Sequence, residues 1–171
     1  MSRATRFALA SAASVAAVAM TATAAHAWTG GSVSASLSQP LTVSLAGATC
    51  TTSNLSGNLA SGGGLTITSA TVSGCTALGL GVTVTPQNLP WSGSLTDGGG
   101  PATFSGFQLR ARQLFVDCLY GGDIAGVNTG VTAGAATVTF TDAPVDKISG
   151  GGICPDTAEV SGQYTFTGPG L

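Results

Sequence analysis

The sequence predicts an all-β protein: an antiparallel β-sandwich or barrel of about 8–10 short strands with two disulfides. Three observations carry this. After residue 27 helical periodicity is almost absent, and Thr, Ser and Val alternate with apolar residues between clusters of glycine, the pattern of many short strands. The four cysteines all lie beyond the amino-terminal segment and are even in number, as in exported disulfide-bonded chains. Only 7% of residues are charged although 26 are glycine. Disorder usually comes with more charge and fewer β-branched residues.

Residues 1–27 read as a secretory signal peptide. Arg3 and Arg6 give a positive start, Phe7 to Met20 an uncharged apolar run, and Ala25-His26-Ala27 a small-x-small cleavage site. The run is too short for a transmembrane helix, and no later stretch reaches about 20 apolar residues. Trp28 follows the cut, so no lipid-anchor cysteine is expected there. Residues 28–171 are then a single secreted β-domain, long enough to bury one core.

Loss of the leader removes His26, the only histidine. The remaining bases are Arg110, Arg112 and Lys147, against Asp97, Asp117, Asp123, Asp142, Asp146, Asp156 and Glu159. Such an acidic chain offers nucleic acid no basic patch. Expected partners are a protein or component of the cell envelope, or a small apolar molecule.

The candidate strands are Ser32–Ser38, Leu41–Leu45, Ala48–Ser53, Leu65–Ser73, Leu80–Thr85, Ala102–Arg112, Gln113–Leu119, Val131–Asp142 and Glu159–Thr167. The longest loops are expected over Pro86–Gly100 and Ala143–Thr157. In Leu65–Ser73 and again after Ala111 the apolar residues change parity, which turns a core face outward unless a bulge intervenes. Bulges are expected near Ser69 and Arg112. Ser61–Gly74 and Ser149–Gly162 echo each other in sequence, through half-domain duplication or through low complexity.

Four cysteines allow three pairings. Cys50–Cys75 and Cys118–Cys154 are favoured because strands adjacent in sequence tend to be adjacent in space. A zinc site is disfavoured by the lack of Cys-x-x-Cys and of any histidine after the leader.

The same inventory excludes Ser-His-Asp and Cys-His catalysis, which need an imidazole. No phosphate-cradling glycine motif opens a helix, and no cofactor is expected. A carboxylate pair among Glu159, Asp117 and Asp123 leaves glycoside hydrolysis open, with solubility charges as the plainer reading. Asp97 and Asp142–Asp146 sit in loop contexts that suit calcium, but Asp beside Gly or Pro ordinarily caps a turn. A non-enzymatic, surface-associated or interaction module is the leading expectation. A carrier with an apolar cavity near Trp91 comes second and a carboxylate hydrolase third.

The candidate ligand-binding residues are Trp91, Tyr120, Arg110 and Arg112. Gln108, Arg110 and Arg112 alternate, so they share the polar face of one strand as an anion spot or as partners for cross-strand acids. In VTVTPQNLPW, Pro86 is expected to end a strand for lack of a ladder donor, and a stiff extended connection then delivers Trp91. The indole is either a buried plug, the favoured reading, or an exposed platform that Phe104, Phe107 and Tyr120 join through folding.

Across residues 47–91, the first cysteine at Cys50, the Thr68–Cys75 stretch and the Thr83–Trp91 segment resemble a group of small exported Ala/Gly/Thr-rich actinobacterial proteins of uncharacterised function. The resemblance implies a secreted all-β domain with a Cys50–Cys75 pair. Composition and cysteine count are also similar to the apoproteins of enediyne chromoproteins, which are immunoglobulin-like sandwiches that hold an apolar ligand.

Overall fold

The computed structural model describes residues 28–171; the leader read over residues 1–27 lies outside them. The chain forms β1 (Gly31–Val43), a short 3-10 turn (Leu45–Gly47), β2 (Ala48–Leu59), β3 (Gly64–Ala77), β4 (Leu80–Gln87) and β5 (Trp91–Leu95). There follow β6 (Gly100–Gln113), β7 (Val116–Thr132), β8 (Ala135–Gly150) and β9 (Thr157–Thr167). Every pairing is antiparallel, and β9 returns to pair with β1, so the sheet closes into a barrel. Of the two architectures expected, the barrel is the one adopted, and closure removes the exposed edges an open sheet would present.

The ring has eight positions, because β4 and β5 share one. β4 pairs with β3 through Leu80–Val82 and with β6 through Thr83–Gln87, while β5 pairs with Gly64–Ile67 of β3 and Ala102–Ser105 of β6. They are one interrupted strand, broken at Asn88, which has positive φ, and at a cis Leu89–Pro90 bond. The expected loop over Pro86–Gly100 is therefore largely strand. Pro86 does not end β4: it lies opposite Leu109, past the last β3 partner, Val82. Only one side of the strand is laddered there, a position where proline is tolerated.

Other expected boundaries move outward for the same reason. β7 runs on to Thr132, and β8 continues through the expected Ala143–Thr157 loop as far as Gly150, because each has a partner on both sides. A break in register between Phe140 and Ala143 resets the parity, so Phe140 and then Ala143 and Val145 all face inward.

The bulge expected near Ser69 is present. Ser56 opposes Ser69 but Gly57 opposes Ile67, which leaves Thr68 as the extra residue. Gly57 has to be glycine here, since a Cβ would overlap the Thr66 carbonyl. No bulge forms at Arg112. Gln113 pairs with Val116, and the change of parity is a two-residue reversal at Leu114–Phe115. The two echoed segments run into β3 and β9, three steps apart around the ring and so opposite in direction, whereas duplication of a half-barrel would keep the direction.

The two disulfides are Cys50–Cys75 and Cys118–Cys154. The first links directly opposed residues of β2 and β3. The second ties β7 to the β8–β9 connection.

The interior is filled unevenly. Towards the end that carries Trp28 and Leu171, the lumen is packed by Trp28, Leu59, Leu65, Leu95, Val138 and Phe166, all buried. The Trp28 indole N–H donates to the Leu95 carbonyl oxygen at 3.2 Å and closes that end. Mid-barrel, Phe104 meets Phe140 edge-on with ring centroids 5.3 Å apart, and Phe140 meets Tyr164 in the same manner at 6.4 Å. An eight-stranded barrel is just wide enough to be filled by such rings or to hold one small ligand.

Candidate functional site: an apolar cavity at the barrel mouth

At the other end the inward-facing residues become small: Val43 on β1, Ala48 on β2, Ala77 on β3, Val82 and Val84 on β4, and Ala111 on β6. Side chains of this size cannot reach across the lumen. A cavity of about 340 Å³ remains, to which each of the eight ring positions contributes lining residues. This volume falls in the range of small-molecule sites, ~300–1,000 Å³. The walls offer little to a polar ligand. The Tyr120 hydroxyl, on the wall, donates to the Pro155 carbonyl oxygen at 2.9 Å, and the Gln113 amide donates to the carbonyls of Ala77 and Leu80. Burial pushes the Tyr120 phenol above its ordinary pKa, so it stays neutral. Among the described residues no buried side-chain nitrogen or oxygen lacks a partner.

The rim is apolar and exposed. Leu78 (82% exposed), Leu114 (84%), Phe115 (101%) and Ile153 (71%) stand on three separate connections around the mouth. Leu78 and Leu114 also adopt positive φ, 52° and 47°. Tight hairpins normally place Asn, Asp or Gly there, and a bulky residue in that region costs about 1–3 kcal/mol. Two leucines therefore sit where both the turn and the solvent disfavour them.

The β8–β9 connection, which carries Ile153, is tied down beside the mouth. Besides the Cys118–Cys154 bridge and the Tyr120–Pro155 bond, Lys147 Nζ donates to the Cys154 carbonyl oxygen at 3.0 Å and pairs with Asp156 at 2.5 Å.

Trp91 is 2% exposed, which bears out the buried plug and sets aside the platform. It sits mid-barrel, the first residue of β5. Its indole N–H donates to the Gln87 carbonyl oxygen at 2.8 Å, and its ring lies against Phe107 with centroids 4.9 Å apart. Arg110 and Arg112 share a polar face as expected, and Asp117 occupies both. Arg110 forms two 2.7 Å bonds to its carboxylate and Arg112 a 3.1 Å bond. Of the candidate binding residues, Tyr120 lines the cavity, whereas Trp91 does not and only backs Phe107, which does. The structure leaves Arg110 in a surface ion cluster, with Arg112 at the cavity's edge.

The Arg110 hydrogen bonds hold the Asp117 carboxyl down to about 2, with Arg112 adding to the effect. A depressed carboxylate contributes stability that is full above its unfolded value, near 3.9, and is lost as pH falls towards 2. Asp117→Asn is expected to flatten that part of the acid-unfolding profile while leaving the neutral-pH fold intact, as read by circular dichroism across an acid titration. The partners are exposed enough that the loss at neutral pH should be small.

Of the other acids, one serves the backbone and one a neighbouring hydroxyl. Asp123 Oδ1 accepts the Gly106 N–H at 3.1 Å, and Asp142 accepts from the Ser161 hydroxyl at 2.9 Å. Glu159 borders a shallow surface hollow with Asp142 and Ser161.

Sequence reading offers an apolar cavity only as its second expectation and near Trp91; it misses the cavity's place at the mouth, which Trp91 does not line. The signals of that place were small apolar residues at one end of successive strands, and Leu-Gly and Leu-Phe at turns where Asn-Gly or Asp-Gly would be ordinary.

The model of the family described as alkane oxidation protein activator PraA/PraB-like matches residues 1–169, so the chain belongs to that family. No curated protein and no solved structure matches it at a significant level.

Proposed function

We propose, from membership in this family and from the open cavity, that the protein is an exported, non-catalytic barrel that takes up an aliphatic molecule at its mouth. The carrying observation is the uneven filling of the lumen: one half is packed with aromatic and aliphatic side chains, and the other is an apolar space opening at an apolar rim. The family description names alkane oxidation, and a saturated chain is the cargo such walls would suit, since it asks for no hydrogen bonds. Its gain is desolvation, ~0.8 kcal/mol per methylene buried. The carrier reading, second on sequence grounds, thereby moves ahead of a plain surface module. The leader-like residues 1–27 and the two disulfides support action outside the cytoplasm.

The test is displacement of an environment-sensitive fluorescent dye from the purified protein by linear alkanes and primary alcohols. Saturable displacement with micromolar midpoints is expected. Absence of binding by every chain, with the fold intact, would overturn the proposal.

The exposed rim favours a second, compatible role as a contact surface. Leu78→Asn combined with Leu114→Asn is expected to raise stability by about 1 kcal/mol, since Asn suits positive φ. The same change should weaken retention on an alkyl-agarose column. Unchanged retention would show that the rim makes no such contact.

A further inference from the structure

The mouth cavity does not end at random. Below it lies a second, very small apolar void of about 20 Å³, bordered by Trp91, Phe104, Ile124, Phe140 and Tyr164 among others. Four residues line both spaces and so form the partition: Leu41, Phe107, Leu109 and Val160. Phe107 is the one aromatic ring common to both.

Phe107 faces inward only because β6 is irregular. Phe104 and Phe107 are three residues apart and would point to opposite faces of a regular strand. The β6–β7 register breaks between them, and Gly106 has a φ of +73°. Both ends of this bulge are held: Asp123 accepts the Gly106 N–H, and the Asn88 side-chain amide donates to the Gly106 carbonyl oxygen at 3.4 Å. Asn88 belongs to the interruption between β4 and β5, and Trp91 is the first residue after it. One short segment therefore clamps the bulge that aims Phe107 and also supplies the ring that backs it.

We propose that Phe107, backed by Trp91 and aimed by the bulge at Gly106, is the floor that sets the longest alkyl chain the barrel accepts. Asp123 and Asn88 are positioning residues for that floor. This inference rests on the aliphatic-carrier reading above. The open space suits a chain on the order of ten carbons, at ~30 Å³ for each small group. Removing the Phe107 ring merges the mouth cavity with the void beneath. The added space is on the order of 100 Å³, comparable with other core truncations, and admits roughly three more carbons.

The experiment measures the affinity of a homologous series of linear primary alcohols for the full-length protein and its variants. In the unmodified protein affinity should rise about fourfold per methylene and then level off at the length that reaches the floor. Phe107→Ala should move that plateau to chains about three carbons longer, and the milder Phe107→Leu should move it part of the way. Asp123→Ala should blur the cut-off without abolishing binding of short chains. If no alcohol binds the unmodified protein, the carrier reading itself fails. If short chains bind with a plateau that stays put in a folded Phe107→Leu or Phe107→Ala variant, the floor lies elsewhere and this inference alone is overturned.

Discussion

Trp91→Ala is expected to lower the unfolding free energy by about 3–5 kcal/mol, the range for truncating a large buried aromatic. Three losses combine. The indole is almost fully buried, it packs at a tilt against Phe107, and its N–H satisfies the Gln87 carbonyl at the point where β4 breaks off. Without it, β5 loses its first buried side chain and the slot between β3 and β6 loses its filling. Urea titration should show a lower midpoint with a nearly unchanged slope, because the surface exposed on unfolding hardly alters. Trp91→Phe separates the terms: it keeps most of the apolar volume but leaves the carbonyl without its donor, at a cost of about 1–3 kcal/mol. A change below about 1 kcal/mol for Trp91→Ala would mean that the ring is not part of the cooperative core.

Removing the Cys118–Cys154 bridge by a double alanine substitution should cost about 3–4 kcal/mol. The bridge spans 36 residues, and the unfolded chain regains the entropy of that loop. Both cysteines are buried, so lost packing adds to the effect. The Cys50–Cys75 bridge spans 25 residues and should contribute about 3.5 kcal/mol on the same basis. The consequences should differ in place. Cys50 lines the mouth and joins strands already paired, whereas Cys154 anchors the connection that carries Ile153 to the rim. Loss of the second bridge should therefore speed amide exchange in residues 151–156 beyond the global change. Denaturation with and without a strong reductant, followed by hydrogen exchange on each double variant, measures both effects. Equal exchange changes throughout the barrel would show that the bridge has no local role.

How much of this was legible in the chain depends on how local each cause is. Alternation of Thr, Ser and Val with apolar residues depends on the strand period alone, so the all-β class could be read directly. The parity change at Ser69 likewise required a bulge, and one is there. The similar change at Arg112 had two solutions, a bulge or a reversal, and only the pairing of Gln113 with Val116 chose the reversal. Trp91 was legible as a plug because a lone indole without aromatic or charged neighbours is better used in packing. Its service as the back of a ligand floor was not, since Phe107 reaches it through a bulge whose clamps, Asn88 and Asp123, lie far apart in sequence.

The sequence by itself determined the secondary-structure class and the acidic, histidine-free chemistry after residue 27, and it favoured one of three cysteine pairings. Each follows from residue type and spacing. Only the tertiary structure decided that the sheet closes, that β4 and β5 share one strand position, and that small side chains on all sides of the ring meet at the same end. A cavity is the space left by residues distant in the chain, and no single stretch of sequence encodes its volume.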